Sequence, residues 1–287
     1  MTENRPPTSD RKLSLVAPVV IGAIVIVLLA ALLFLNREPK APAPEPAPPP
    51  PPVVKPPPEK PGPQAGPLTR QDLIEGATLE AAAYSAGSGS PKALAEIKGR
   101  PFALRIPFGC EGPQVSPGPA QAFVEQDPAG KVTKLVARPG NWSALPMLQN
   151  FPSGAKPEAV EGFWLARPWS TSEACPPRRD VGAPATPTPT ATQTLGLARL
   201  FEPGGSRLLR RDGRPYEFVR KTAVDQPPLA VSYRLVLEGR IATFPDGRTI
   251  RCAAESPDHR PICLYAVTFD RIAFETADGQ SLAEWRE

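Results

Sequence analysis

The sequence predicts a single-pass transmembrane helix, a proline-rich linker and a mainly-β extracytoplasmic domain with one or two helices at its N-terminal end. Three observations predict it. Residues 15–35 (LVAPVVIGAIVIVLLAALLFL) run for 21 residues without a charge. Fifteen of the chain's 42 prolines fall within residues 39–67. Beyond residue 100 apolar residues recur at every second position, the spacing of half-buried strands. The proline content also excludes one compact helical domain, since an interior proline costs a helix about 3 kcal/mol.

Residues 1–14 are too short to fold and form a tail. At about 1.5 Å rise per residue, the run 15–35 reaches about 30 Å, the thickness of the bilayer hydrocarbon. It exceeds the roughly 7–15 apolar residues of a cleavable signal peptide, and the nearby Ala41-Pro42-Ala43 is followed by Pro44, a poor setting for cleavage. An uncleaved signal anchor is therefore expected, with Pro18 in its first turns, where a missing N–H costs least. Arg5, Arg11 and Lys12 precede the run; Arg37 and Lys40 follow it, with nothing basic again until Lys55. That slight bias, the shortness of the tail and an even set of cysteines place the tail in the cytoplasm and the rest outside; the Ala/Pro/Arg-rich composition points to a bacterial inner membrane and its periplasm.

Residues 36–67 form a disordered spacer, extended as polyproline II. Its PxxP patterns could serve proline-recognising modules, but those are mostly cytosolic, and a semi-rigid spacer is the expectation. The order of tail, anchor, proline-rich spacer and distal domain resembles the layout of TonB-type transducers and other single-pass envelope proteins. That resemblance is compositional and covers residues 1–67. It implies a domain held out from the membrane.

Residues 68–98 are helical. Thr69 and Asp72 form a capping-box pattern, and Leu73, Ala77, Ala81 and Tyr84 form a loose stripe with Leu79 or Glu80, ended by Gly87. Residues 99–287 are mainly β. Phe102, Leu104, Ile106, Phe108 and Cys110 share one strand face, and 132–138 and 162–167 are further strands. Val231, Tyr233, Leu235, Leu237 and Ile241 point inward along 230–244. A turn at 244–248 leads to a strand at 249–253, followed by a long strand over 261–276 and a closing one over 281–285. Residues 182–194 (GAPATPTPTATQT) are a low-complexity loop that either divides this domain or lies within it.

The four cysteines, Cys110, Cys175, Cys252 and Cys263, all lie beyond the anchor, and an even count outside the cytoplasm predicts two disulfides. Cys252 and Cys263 flank a turn region between two strands, so a local link is expected, leaving Cys110 with Cys175. A metal site from Cys252, His259 and Cys263 lacks a C-x-x-C pair and a fourth ligand. No cofactor and no metal are implied.

Two surface features stand out. Phe163, Trp164 and Trp169, with Trp142 upstream, form a possible ligand surface for sugars or peptides, or else strand packing. Arg207, Arg210, Arg211, Arg214, Arg220 and Lys221 form a possible anionic-surface contact, or else the solvated face of a hairpin turning at Asp212-Gly213. Nucleophile-elbow, Walker and zincin motifs are absent. The one histidine, His259, sits on a polar loop. Paired carboxylates could be drawn from Glu111, Glu125, Asp127, Glu158 and Glu161. Residues 68–287 carry 26 Lys+Arg against 24 Asp+Glu, a net +2 that argues for no nucleic-acid partner.

The expected function is thus that of an inner-membrane-anchored envelope protein presenting a disulfide-stabilised β domain as a binding or scaffolding module. Its partners would be the bilayer, through residues 15–35, and an envelope protein or glycan. The balance leans against an enzyme. The alternatives are a membrane-tethered cell-wall hydrolase and a transmembrane signalling protein.

Overall fold

A computed structural model of the chain describes residues 66–113, 121–127, 129–177, 193–221 and 232–286. The tail, the apolar run 15–35, the spacer up to residue 65 and most of the loop 182–194 lie outside them. Among the described residues no helix is long and apolar enough to cross a membrane. The described part is mainly β, with two helices.

The organising element is β10 (Ile262–Thr276), fifteen residues bonded to four strands. Along one edge run β9 (Ile250–Ala253) and then β8 (Tyr233–Ile241), both antiparallel. Ala266 joins the two lines: its N–H donates to Thr249 O at 2.9 Å and its carbonyl accepts from Ala242 N at 2.8 Å. Along the other edge run β6 (Leu195–Phe201), parallel, and then β11 (Ser281–Arg286), antiparallel. Beyond β8 lies β1 (Pro101–Phe108); beyond β6 lie β5 (Ala159–Trp164) and β4 (Gly140–Asn141). β5 and β6 flank the low-complexity loop in sequence and pair antiparallel, so one sheet runs across it.

β10 changes parity on the way. Cys263, Tyr265, Val267 and Phe269 face the main core, and Leu264 and Ala266 face a smaller cluster on the opposite side. The pairing with β8 shifts between Phe269 and Arg271, after which Ile272 and Phe274 face the main core. One extra residue in a strand inverts the faces of all that follow. Gly239 makes room for it, because a Cβ there would lie 1.9 Å from Thr268 O.

A second sheet of β2 (Ala122–Gln126), β3 (Val132–Ala137) and β7 (Tyr216–Lys221) contributes Val124, Leu135, Ala137 and Tyr216 to the main core. Trp285 of β11 packs edge-on against both Tyr216 and Phe274, with centroids 5.0 and 5.5 Å away. Past the two residues of β4, the edge of β5 is completed by one side chain. Gln121 accepts from Trp164 N at 2.6 Å and donates to Gly162 O at 3.1 Å, standing in for a neighbouring strand.

Helix α1 (Arg70–Ser85) covers the core where β9 and β10 meet. Its capping box is closed: Thr69 N donates to Asp72 Oδ2 at 2.7 Å and Asp72 N to Thr69 Oγ1 at 3.4 Å. Leu73 and Ala77 are buried as expected, and of Leu79 and Glu80 it is Glu80 that turns inward; Tyr84 is exposed, and Gly76 and Ala83 are buried. The reason is Tyr265. Its hydroxyl donates to Leu73 O at 2.8 Å, and a Cβ at Gly76 would lie 2.3 Å from it, so small residues set the docked face. Burial raises the Tyr265 pKa, which keeps the phenol a donor. Glu80, turned inward, accepts from Ser90 Oγ at 2.6 Å beside helix α2 (Lys92–Glu96).

The chain joins this body at Leu68, whose N–H donates to Pro101 O and whose carbonyl accepts from Ala103 N on the edge of β1. Arg70 follows, fully buried, donating to the carbonyls of Ala166, Arg167 and Ser170. Burial, with Arg167 nearby, lowers its pKa to about 10, so it stays charged at neutral pH. The same stretch is held to β1 by Glu173, which accepts from Arg105 N at 3.4 Å, and by the Cys110–Cys175 disulfide.

Gly239→Ala is expected to destabilise the protein by about 3 kcal/mol, since the clash is with backbone. Urea unfolding with disulfides intact measures this as a lower midpoint, and an unchanged midpoint contradicts the role given to the bulge.

Candidate functional site

The four aromatics of the expected ligand surface are separated by strand alternation. Phe163 and Trp164 are neighbours on β5 and so face opposite ways. Phe163 is buried in the main core, with the rings of Tyr216 and Phe269 at 6.3 and 6.0 Å. Trp164 packs at a tilt against Trp142 on the other side, centroids 4.4 Å apart. The Trp142 indole lies across glycines of three adjacent strands: a Cβ at Gly140, Gly162 or Gly196 would come within 2.5, 2.2 or 2.7 Å of it. Trp142 therefore anchors the smaller core with Leu148, Phe151, Val160, Phe244 and Leu264. Trp169 alone of the four is open to solvent, at 61%.

The basic stretch is folded onto carboxylates and carbonyls. Glu161 of β5 is buried and accepts from Arg211 N at 2.8 Å and Asp212 N at 2.7 Å. These contacts fasten a loop in which Leu209 and Asp212 take positive φ. Arg207 and Arg210 both reach Glu158 Oε1 at 2.6 Å, and Arg210 also meets Asp212 at 2.6 Å. Arg207 and Arg210 hold the Glu158 carboxyl below the usual range. Arg211 donates to Arg214 O and Pro215 O and sits 4.5 Å from the centroid of the Tyr216 ring; Arg214 donates to Arg211 O. Arg220 and Lys221 lie on β7.

The fold also brings together residues that no spacing in the sequence marks. Between residues 143–149 and 156–160 lies a cavity of about 250 Å³. Leu148 and Val160 form its apolar floor, each at most 2% exposed. Ser143 Oγ accepts from Val160 N at 3.0 Å, leaving its proton free to donate, and Gln149 Nε2 donates to Ser143 O at 3.2 Å. Lys156 and the Arg207–Glu158–Arg210 group stand at the rim. A smaller hollow of about 110 Å³ runs beside α1, past Ile74, Thr78, Pro168, Leu195 and Arg260.

Other candidate groups are engaged singly. Ser256 Oγ lies 2.6 Å from His259 Nδ1, inside a turn closed by His259 N donating to Ser256 O. Among the described residues no carboxylate bonds to that imidazole, so the pair is a turn contact. Glu125 meets Lys134, Asp127 accepts from Val132 N, and Glu158 and Glu161 serve the basic loop. Among the described residues no cluster could hold a metal ion. Cys252 and Cys263 are joined to each other. They face across β9 and β10 with Cα atoms 4.1 Å apart, and Cys263 N bonds the other way, to Thr194 O. That is a non-hydrogen-bonded pair, where side chains come closest.

No family model, curated protein or solved structure matches the chain. Its chemistry is therefore argued from these surfaces alone. The aromatic assignment is testable by stability: Trp142→Ala is expected to cost about 3–5 kcal/mol, and Trp169→Ala to stay within about 0.5 kcal/mol of the parent. Urea unfolding compares them, and equal losses at both positions contradict the division.

Proposed function

We propose that the chain is a single-pass protein of a bacterial inner membrane that presents its β domain in the periplasm as a binding or scaffolding module. The observation that carries this is the charge-free run 15–35 with no usable cleavage site behind it. In this reading residues 1–14 are cytoplasmic, residues 36–67 are the spacer, and the bilayer is the first partner.

The domain's own features support the reading without deciding it. Leu68 follows Pro67 directly and is stitched to β1 through its N–H and its carbonyl. All four cysteines are paired, which is weakly compatible with an oxidising compartment. The cavity below the basic loop offers an outward-facing place for an envelope ligand.

Topology reporters fused after residues 14 and 70 test the scheme. A periplasm-dependent phosphatase is expected to be silent at 14 and active at 70. Activity of a cytoplasm-dependent reporter at residue 70 overturns the proposal.

A further inference from the structure

The cavity beside β5 combines three properties that seldom meet at random on a surface. Its floor is apolar, made by the buried Leu148 and Val160. Its wall offers hydrogen-bonding capacity that no partner among the described residues takes up: the Ser143 hydroxyl proton, and on Gln149 the amide oxygen and a second N–H. Its rim is cationic. Lys156 lines the opening and makes no ion pair among the described residues, while Glu158, which also lines it, is already met by both Arg207 and Arg210. Arg207 remains 64% exposed at its side chain.

A ligand that satisfies all three has an anionic group for Lys156, a short apolar portion for the floor, and an amide or hydroxyl for Ser143 and Gln149. The volume sits just under the roughly 300–1,000 Å³ of small-molecule sites, enough for one residue-sized unit and not for an oligomer. We propose that this cavity binds a small carboxylate carrying an adjacent amide or hydroxyl, through Lys156, Ser143 and Gln149. The chemistry is shared by a free peptide end and by a sugar acid. The proposal rests on the binding-module reading and names the ligand class of that module.

The hollow beside α1 does not compete. Its lining is mostly apolar, Arg260 is the cation among it, and the Thr78 hydroxyl is already spent on Ile74 O at 2.8 Å.

The test uses the full chain in detergent micelles, with N-acetylalanine and glucuronic acid as probes and N-acetylalaninamide and glucose as their neutral counterparts. Calorimetry or ligand-observed NMR is expected to show saturable binding of at least one acid, and which acid binds identifies the source. The matching neutral compound is expected to bind at least about tenfold more weakly, as is the acid to Lys156→Gln, the equivalent of one charge-assisted contact. Lys156 is exposed, so the variant should keep the parent's circular dichroism and unfolding midpoint. The proposal is overturned if neither acid saturates, if acid and neutral forms bind alike, or if Lys156→Gln binds as the parent does. Such a failure with an outward domain removes the site and leaves the anchored module standing, whereas a cytoplasmic signal at residue 70 removes the module whatever the cavity binds.

Discussion

A strand of fifteen residues bonded on both edges cannot serve two cores unless its two faces are each matched to one, and β10 meets that constraint twice. In its first half, alternate residues split between the main core, with Tyr265 at its centre, and the smaller core under Trp142. In its second half the bulge after Phe269 restores inward residues to the main core, now against β1, β8 and the three-stranded sheet. β6, β8, β9 and β11 each take their place from β10, and β8 and β9 form a single line only because Ala266 bonds to both of their ends. The glycines at 239, 162 and 196 follow from the same demand: each lies where a backbone or an indole comes too close for a Cβ.

The second consequence concerns the start of the domain. α1 is seated on β10 by the Tyr265–Leu73 hydrogen bond over Gly76, and its first turn is held by Arg70 to the carbonyls after β5. The same stretch is tied to β1 by Glu173 and by Cys110–Cys175, a closure of 65 residues. In the loop-entropy picture that link contributes about 4 kcal/mol and the 11-residue Cys252–Cys263 closure about 3 kcal/mol. The first helix of the domain is therefore built into it from three sides.

Much of this was legible in the sequence where one face is wet. The alternation of Tyr233, Leu235 and Leu237 marks β8, the Thr69–Asp72 pattern marks the start of α1, and the placement of Cys252 and Cys263 on facing strands suggests their link. Legibility ends where both faces are buried. β6 shows no alternation, because Gly196 and Ala198 on one side are small to admit Trp142 while Leu195 and Leu197 fill the other. The stripe on α1 misled at Tyr84 and left Leu79 and Glu80 undecided, since helical spacing does not reveal that a phenol will press on Gly76. Charge was visible without its partners: the Arg210 guanidinium meets Glu158, 52 residues away, whereas Arg211 meets Glu161, 50 residues away, through its backbone N–H. Ser143, Gln149 and Lys156 carry no common signal at all until β5 and its flanking loop place them around Val160.

Native-state hydrogen exchange on the full chain tests the central claim most directly, that α1 and β10 are one cooperative unit. The amides of Leu73–Ala77 are expected to open with the same free energy as those of Leu264–Val267, both at the global limit. Exchange of α1 through a much cheaper local opening, with β10 still protected, would contradict the account.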